Sequence, residues 1–157
     1  MILTNQDLVL LSTLRRDGRQ TLTNLSRETR IPVSTIYDKL KEYDNSLISK
    51  NTVLLDFNKL GYFTRATIAV RTLQKDREEL REFLLKHRHV NSLYKINNGF
   101  DFMFDCIFTH MKELEEFMEE IEKKFRIRNK YIFYMIDEIK REEFFNCPEI
   151  IPIMRGK

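Results

Sequence analysis

The chain has little that bends or breaks a backbone: four glycines and three prolines among 157 residues. That excludes collagen-like and Pro/Gly-rich disordered classes. It also leaves little for a phosphate-cradling glycine loop, and no Walker or Gly-x-Ser-x-Gly pattern occurs. Tryptophan is absent, and the two cysteines, Cys106 and Cys147, lack a Cys-x-x-Cys spacing. Neither a disulfide framework nor a zinc site is expected, which fits a reducing cytoplasm. No apolar run approaches the ~20 residues that span a bilayer, so no membrane association is expected. The first residues, MILTNQD, carry neither a basic n-region nor a hydrophobic stretch of signal length, so export is not expected either. Charge of one sign is also scarce: 27 Lys and Arg stand against 24 Asp and Glu. The first fifty residues hold eight basic and six acidic side chains, with Arg15, Arg16, Arg19, Arg27 and Arg30 among them. This bias permits nucleic-acid binding without establishing it.

What is present is periodicity. Thr4 is placed to cap a helix whose first turn carries Asp7, and Leu10, Leu11 and Leu14 form its apolar stripe before Asp17-Gly18 stops it. Thr21 caps a second helix over about 22–29 that buries Leu22 and Leu25. Pro32 lacks an N–H and presets φ, so it opens the third helix, about 33–43. There Val33, Ile36, Leu40 and Tyr43 share one face, with Ser34, Asp38, Lys41 and Glu42 on the other. Two such helices joined by a tight break are a helix-turn-helix candidate. Residues 47–55 are β-branched and apolar enough for a connecting strand, ahead of a turn toward Leu60-Gly61.

Beyond residue 60 the pattern becomes strand, helix, strand, strand, helix, strand. The strands are expected over 64–71, 90–96, 100–108 and 131–139, and the helices over 76–87 and 112–125. Asn97-Asn98-Gly99 reads as the turn of an antiparallel hairpin. The order βαββαβ is the ferredoxin-like plan. In the third strand Phe100, Phe102, Phe104 and Phe108 oppose Met103 and Ile107; in the fourth, Phe133 and Met135 oppose Ile132, Tyr134 and Ile136. Two helices cover one face of such a sheet, so the other exposes apolar surface, and a second copy of the chain is the expected cover. The fold class is therefore α+β: a winged or plain helix-turn-helix domain (1–46), a connecting strand and hinge (47–60), a ferredoxin-like domain (61–141) and a C-terminal tail (142–157).

This layout resembles the Lrp/AsnC (feast/famine) transcription regulators over about residues 3–141. Leu14-Arg15-Arg16-Asp17-Gly18-Arg19 is similar to the family's stretch ending in Asp-Gly-Arg. Leu25-Ser26-Arg27-Glu28 resembles its second helix, and Ser34-Thr35-Ile36-Tyr37 the start of its recognition helix. Leu60-Gly61 resembles the hinge into its effector domain, and Gly99-Phe100-Asp101-Phe102 the Gly-x-Asp-aromatic turn of that domain. The departures are Pro32 where the family has a small residue or Ser, and Asp38, Lys39 and Lys41 where it commonly has Arg. After the third helix the stretch Tyr43 to Ile48 is one residue short and lacks the family's Gly, with Asn45 available for the left-handed conformation.

The resemblance implies an oligomeric, sequence-specific DNA-binding regulator, a homodimer or higher homo-oligomer on double-stranded DNA. Ser34, Thr35, Asp38 and Lys41 would face a major groove, and Lys39, Arg19 and Arg27 would contact phosphates. It further implies a small effector, often an amino acid, near Gly99 and Asp101; a plain hairpin-turn role for Asp101 is the equal alternative. No cofactor, metal or catalytic residue is expected, since His87-Arg88-His89 has no accompanying cysteine or carboxylate cluster. Two other readings remain. Siroheme decarboxylases resemble the same layout and would use His87, His89 or His110, and an effector-binding module with a degenerate DNA-binding domain is allowed by Asp38 and the low net charge.

Overall fold

The computed structural model describes residues 3–44 and 46–151. Asn45, named above for its left-handed tolerance, and residues 152–157 of the tail lie outside the described residues. The chain forms two compact units. Described residues up to 54, together with those from 139 onward, make a helical unit; Leu55–Glu138 make the other.

The helical unit contains α1 (Asn5–Arg16), α2 (Leu22–Thr29) and α3 (Val33–Asp44). Thr4 and Asp7 close a capping box at the start of α1, and the Thr21 hydroxyl accepts from the Asn24 N–H to cap α2. These caps satisfy amides that the first turn leaves without intrahelical partners. Arg30 ends α2 at φ 59°, and Pro32 sits immediately before α3. Leu10, Leu25, Ile31, Ile36 and Tyr43 form the core, with Leu11, Leu14, Leu22, Leu40 and Ile48 packed against them. Val33 departs from expectation. It is exposed, because Ile31 from the preceding turn fills the core in its place. No strand forms over residues 47–55, and no wing accompanies the helices among the described residues. A β-strand needs a ladder partner for its amides, and no described strand pairs with this segment.

The second unit is a four-stranded antiparallel sheet in the order β2-β3-β1-β4. Its strands are β1 (Thr64–Thr72), β2 (Val90–Lys95), β3 (Phe102–Phe108) and β4 (Ile127–Tyr134), and its helices α4 (Arg77–Lys86) and α5 (Met111–Lys124). This is the ferredoxin-like βαββαβ arrangement. Strand period two sends Ala66, Ile68 and Val70 of β1, and Phe102, Phe104, Cys106 and Phe108 of β3, to one face. There they meet Leu80 and Leu84 of α4 and Leu114, Phe117, Met118 and Ile121 of α5. Asn98 at φ 60° and Gly99 at φ 87° supply the two left-handed residues that a tight hairpin turn requires. Two sequence expectations shift here. Phe100 lies outside β3, its ring 5.4 Å from that of Tyr131. β4 starts and ends earlier than 131–139, leaving Ile136 fully exposed beyond it.

Candidate nucleic-acid interface and effector turn

The helical unit is organised around one buried carboxylate. Asp7 Oδ2 accepts from the Thr4 N–H and hydroxyl, both at 2.7 Å. Its Oδ1 accepts a 2.6 Å bond from the Tyr43 hydroxyl and pairs with the Lys39 ammonium. Burial alone would raise the Asp7 pKa, yet the bonds from Lys39, Tyr43 and Thr4 outweigh it and hold the group well below the usual carboxylate range. Burial and the Asp7 charge push the Tyr43 hydroxyl upward. The network ties the start of α1 to both the middle and the end of α3, and so fixes how α3 is rotated about its axis.

That rotation decides what α3 presents. Ser34, Tyr37, Asp38 and Lys41 follow the i, i+3, i+4, i+7 spacing and are all exposed, with Thr35 at one margin and Val33 at the other. At 100° per residue Lys39 is turned about 140° from Ser34, toward Tyr43. This is why its ammonium reaches Asp7 and is only a quarter exposed. Arg27 on α2 is exposed and bonds Asn24 Oδ1 at 2.9 Å, and the exposed Arg19 sits between α1 and α2, where its N–H donates to Asp17 Oδ1 at 2.9 Å. Arg19, Arg27, Ser34, Thr35, Asp38 and Lys41 therefore lie on the surface of one unit, while Lys39 is committed inward. Sequence reasoning passed over Tyr37, an aromatic residue 60% exposed on the same face. Its spacing from Ser34 and Lys41 was the available signal. Such a face offers hydroxyls, a carboxylate, a cation and an aromatic edge, the mixture that reads base edges and phosphates.

In the second unit, Gly99 and Asp101 occupy the β2–β3 turn. The Asp101 side chain accepts from the Thr72 N–H at 2.9 Å and pairs with Arg77 Nη2 at 2.7 Å, and it is mostly buried. Asp101 thus pins the end of β1 and the start of α4 to the turn. The far face of the sheet is open: Tyr94, Tyr131, Phe133 and Met135 are exposed there, beside Met103 and Ile107. Thr67 and Asp105 share a 2.7 Å hydrogen bond on the same face.

The three histidines have local structural partners. The His87 ring lies 4.4 Å from that of Phe117, and burial there lowers its pKa. His89 stacks on Phe108 at 4.6 Å with Nδ1 2.9 Å from the Ile107 carbonyl, and His110 caps α5. Among the described residues, no three His, Cys, Asp or Glu side chains cluster as metal ligands would, and no helix is long and apolar enough to cross a membrane.

Residues 65–143 match the family model of the Lrp/AsnC ligand binding domain. An uncharacterised HTH-type transcriptional regulator of Pyrococcus furiosus is 26% identical over 116 residues, which is 73% of this chain and 78% of that one. The HTH-type transcriptional regulator FL11 of Pyrococcus abyssi is 24% identical over 113 residues, 71% of this chain and 75% of that protein. Among solved structures, a transcriptional regulator of Neisseria meningitidis in complex with L-Met superposes with a TM-score of 0.82 at 22% identity, covering 89% of this chain and 94% of the other. AsnC of E. coli gives 0.79 at 14% identity, covering 90% and 97%.

Proposed function

Because the chain belongs to the Lrp/AsnC family of transcriptional regulators, we propose that it is a cytoplasmic, sequence-specific DNA-binding regulator acting as a homodimer or higher homo-oligomer, with an amino acid or related small metabolite as its effector. The observation that carries this reading is the exposed row Ser34, Tyr37, Asp38 and Lys41 on a helix whose rotation is locked by Asp7. One such helix enters the major groove at each half-site, and the exposed Arg19 and Arg27 contact flanking phosphates. Two copies meet through the open sheet face around Tyr131 and Phe133, because contiguous exposed aromatics gain most by mutual burial.

The effector reading is supported by the structurally similar transcriptional regulator of Neisseria meningitidis, which is in complex with L-Met. In this chain the turn carrying Gly99 and Asp101 is the proposed place for it. An effector acts there only by preferring one assembly geometry over another. No catalytic step is part of the proposal, and an intense tetrapyrrole absorbance band on the purified protein would reverse that. The direct test is selection of duplexes from a random-sequence pool, followed by mapping of bound sites across the genome. Enrichment of a pseudo-palindromic sequence is expected; no enrichment at moderate salt would overturn the reading.

A further inference from the structure

The helical unit is not closed by its own three helices. The chain leaves it at residue 54, builds the sheet unit over Leu55–Glu138, and returns. The returning segment, residues 139–151, packs along the C-terminal half of α1. Arg15 grips it twice: Nε donates to the Phe144 carbonyl at 2.7 Å, and Nη2 pairs with the Glu142 carboxylate. Arg16 is shared between Glu28 of α2 and, at 3.7 Å, Glu149 of the segment. At the far end Ile151 is buried, following a 3-10 turn over Pro148–Ile150.

The backbone of this segment is strained where Arg15 holds it. Glu142 has φ 55° and Phe145 φ 66°, left-handed values that non-glycine side chains rarely adopt, least of all an aromatic one. Such conformations persist only where surrounding contacts impose them, and a free chain escapes them by rotating to negative φ. The imposing contacts are modest. Arg15 is 40% exposed and Glu142 54%, so their attraction is screened by water and salt. The charge pair at Arg15 and Glu142 is exposed while Ile151 anchors the far end, an arrangement suited to release.

We propose that residues 139–151 form a releasable strap on α1, pinned by Arg15, and that docking it restricts the helical unit enough to reach two half-sites at a fixed spacing. The second clause rests on the DNA-reading function proposed above; the first does not. Docked, the helical unit is tied to the sheet unit at both of its chain connections. Released, its remaining chain connection is the one at residues 54–55, and the conformational freedom it regains must be lost again when two units engage one duplex.

The test uses the full chain with Arg15→Glu, Glu142→Arg, the charge-swapped double variant, and the gentler Arg15→Gln as a guard against misfolding. Native-state chymotrypsin cleavage after Phe144 and Phe145 reads strap release, because these sites are the same in every variant and cleavage tracks the population of the open form. Each single variant should be cut about tenfold faster than the parent, and the double variant should return toward it. Equal cleavage in parent and single variants, or no recovery in the double, would overturn the docking. In parallel, a duplex selected by the parent from a random pool is compared with the same duplex cut to one half. The single variants should bind the full duplex about tenfold more weakly and the half duplex equally. Faster cleavage with equal losses on both duplexes would overturn the coupling to spacing. If the parent selects no duplex, the DNA-reading function fails and the coupling with it, while cleavage still decides the docking.

Discussion

The Tyr43 hydroxyl donates a 2.6 Å hydrogen bond to Asp7, joining the last turn of α3 to the first turn of α1 inside the helical unit. Both side chains are buried, and Lys39 completes the set from one turn earlier on α3. A polar trio inside so small a core is costly unless every member is satisfied. Here the cost is offset by fixing α3 in a single rotation, so that Ser34 and Asp38 face outward and not inward.

Replacing Asp7 with Asn should destabilise the helical unit by about 1–3 kcal/mol, read as a fall in its melting temperature, since Lys39 and Tyr43 then lose a charged acceptor. The pH dependence has a definite sign. The folded Asp7 pKa is lowered, so the unfolded chain binds more protons as pH falls. Its contribution is therefore complete above about pH 5 and drains away as pH drops through and below the ordinary carboxylate value. Tyr43 is raised, so its contribution is complete below about pH 10 and is lost on going higher. Asp7→Asn should flatten the acid limb of the stability curve, and a parent curve already flat below pH 5 would contradict the network.

Lys39 and Arg27 should separate cleanly. Lys39→Ala leaves the buried Asp7 without its cation and should cost about 1–3 kcal/mol of stability, with little change in the salt dependence of DNA binding. Arg27 is exposed, so Arg27→Ala should leave the stability within about 0.5 kcal/mol of the parent's. It should reduce the slope of log K against log salt by about one for each phosphate no longer neutralised, and so about two per dimer. Melting curves and a salt series on both variants decide the assignment.

Much of this was legible from residues alone, for physical reasons that differ by element. α2 was readable because Thr21 and Leu25 give a cap and a buried anchor, and the hairpin because Asn98-Gly99 is nearly obligatory where two left-handed residues meet. The Asp7 network was not legible, since a first-turn acid beside Thr4 is already explained as a cap, and only tertiary packing brings Tyr43, 36 residues away, onto the same carboxylate. Val33 was misplaced because periodicity cannot see Ile31 arriving from a turn. The strap escaped too: residues 139–151 carry no helical or strand period, and their place depends on Arg15, far back in the chain.

The open sheet face carries the assembly prediction. Tyr131 and Phe133 are 54% and 59% exposed on β4, with ring centroids 6.1 Å apart. Light scattering should report a dimer or a multiple of it for the parent. Phe133→Lys should shift the protein toward its 19.0 kDa monomer while leaving the sheet folded, because the side chain lies outside the helix-covered core. A parent that is already monomeric at micromolar concentration would leave this face without its partner. Ile136→Lys is the control: it lies beyond the last strand and fully exposed, so it tests whether the interface extends past β4.

The recognition row is the part of the reading most exposed to experiment. Ser34 and Asp38 stand on adjacent turns of α3, and neither lies in the buried core. Their removal should therefore leave stability near the parent's. If they reach base edges, Ser34→Ala and Asp38→Ala should each change which duplex is preferred by roughly 1–3 kcal/mol per discriminating contact, with the salt slope unchanged in the uncharged exchange Ser34→Ala. An Asp at a groove also repels phosphates, so Asp38→Ala should tighten binding to random duplexes while weakening discrimination at the base pair it reads. Tyr37→Phe separates the ring from its hydroxyl: removing a phosphate bond weakens all duplexes alike, whereas packing of the ring on a thymine methyl survives the change. Competition binding of these variants against selected and random duplexes, across a salt series, measures all of these effects together. If sequence preference is untouched in Ser34→Ala and Asp38→Ala, α3 does not read the groove through this face.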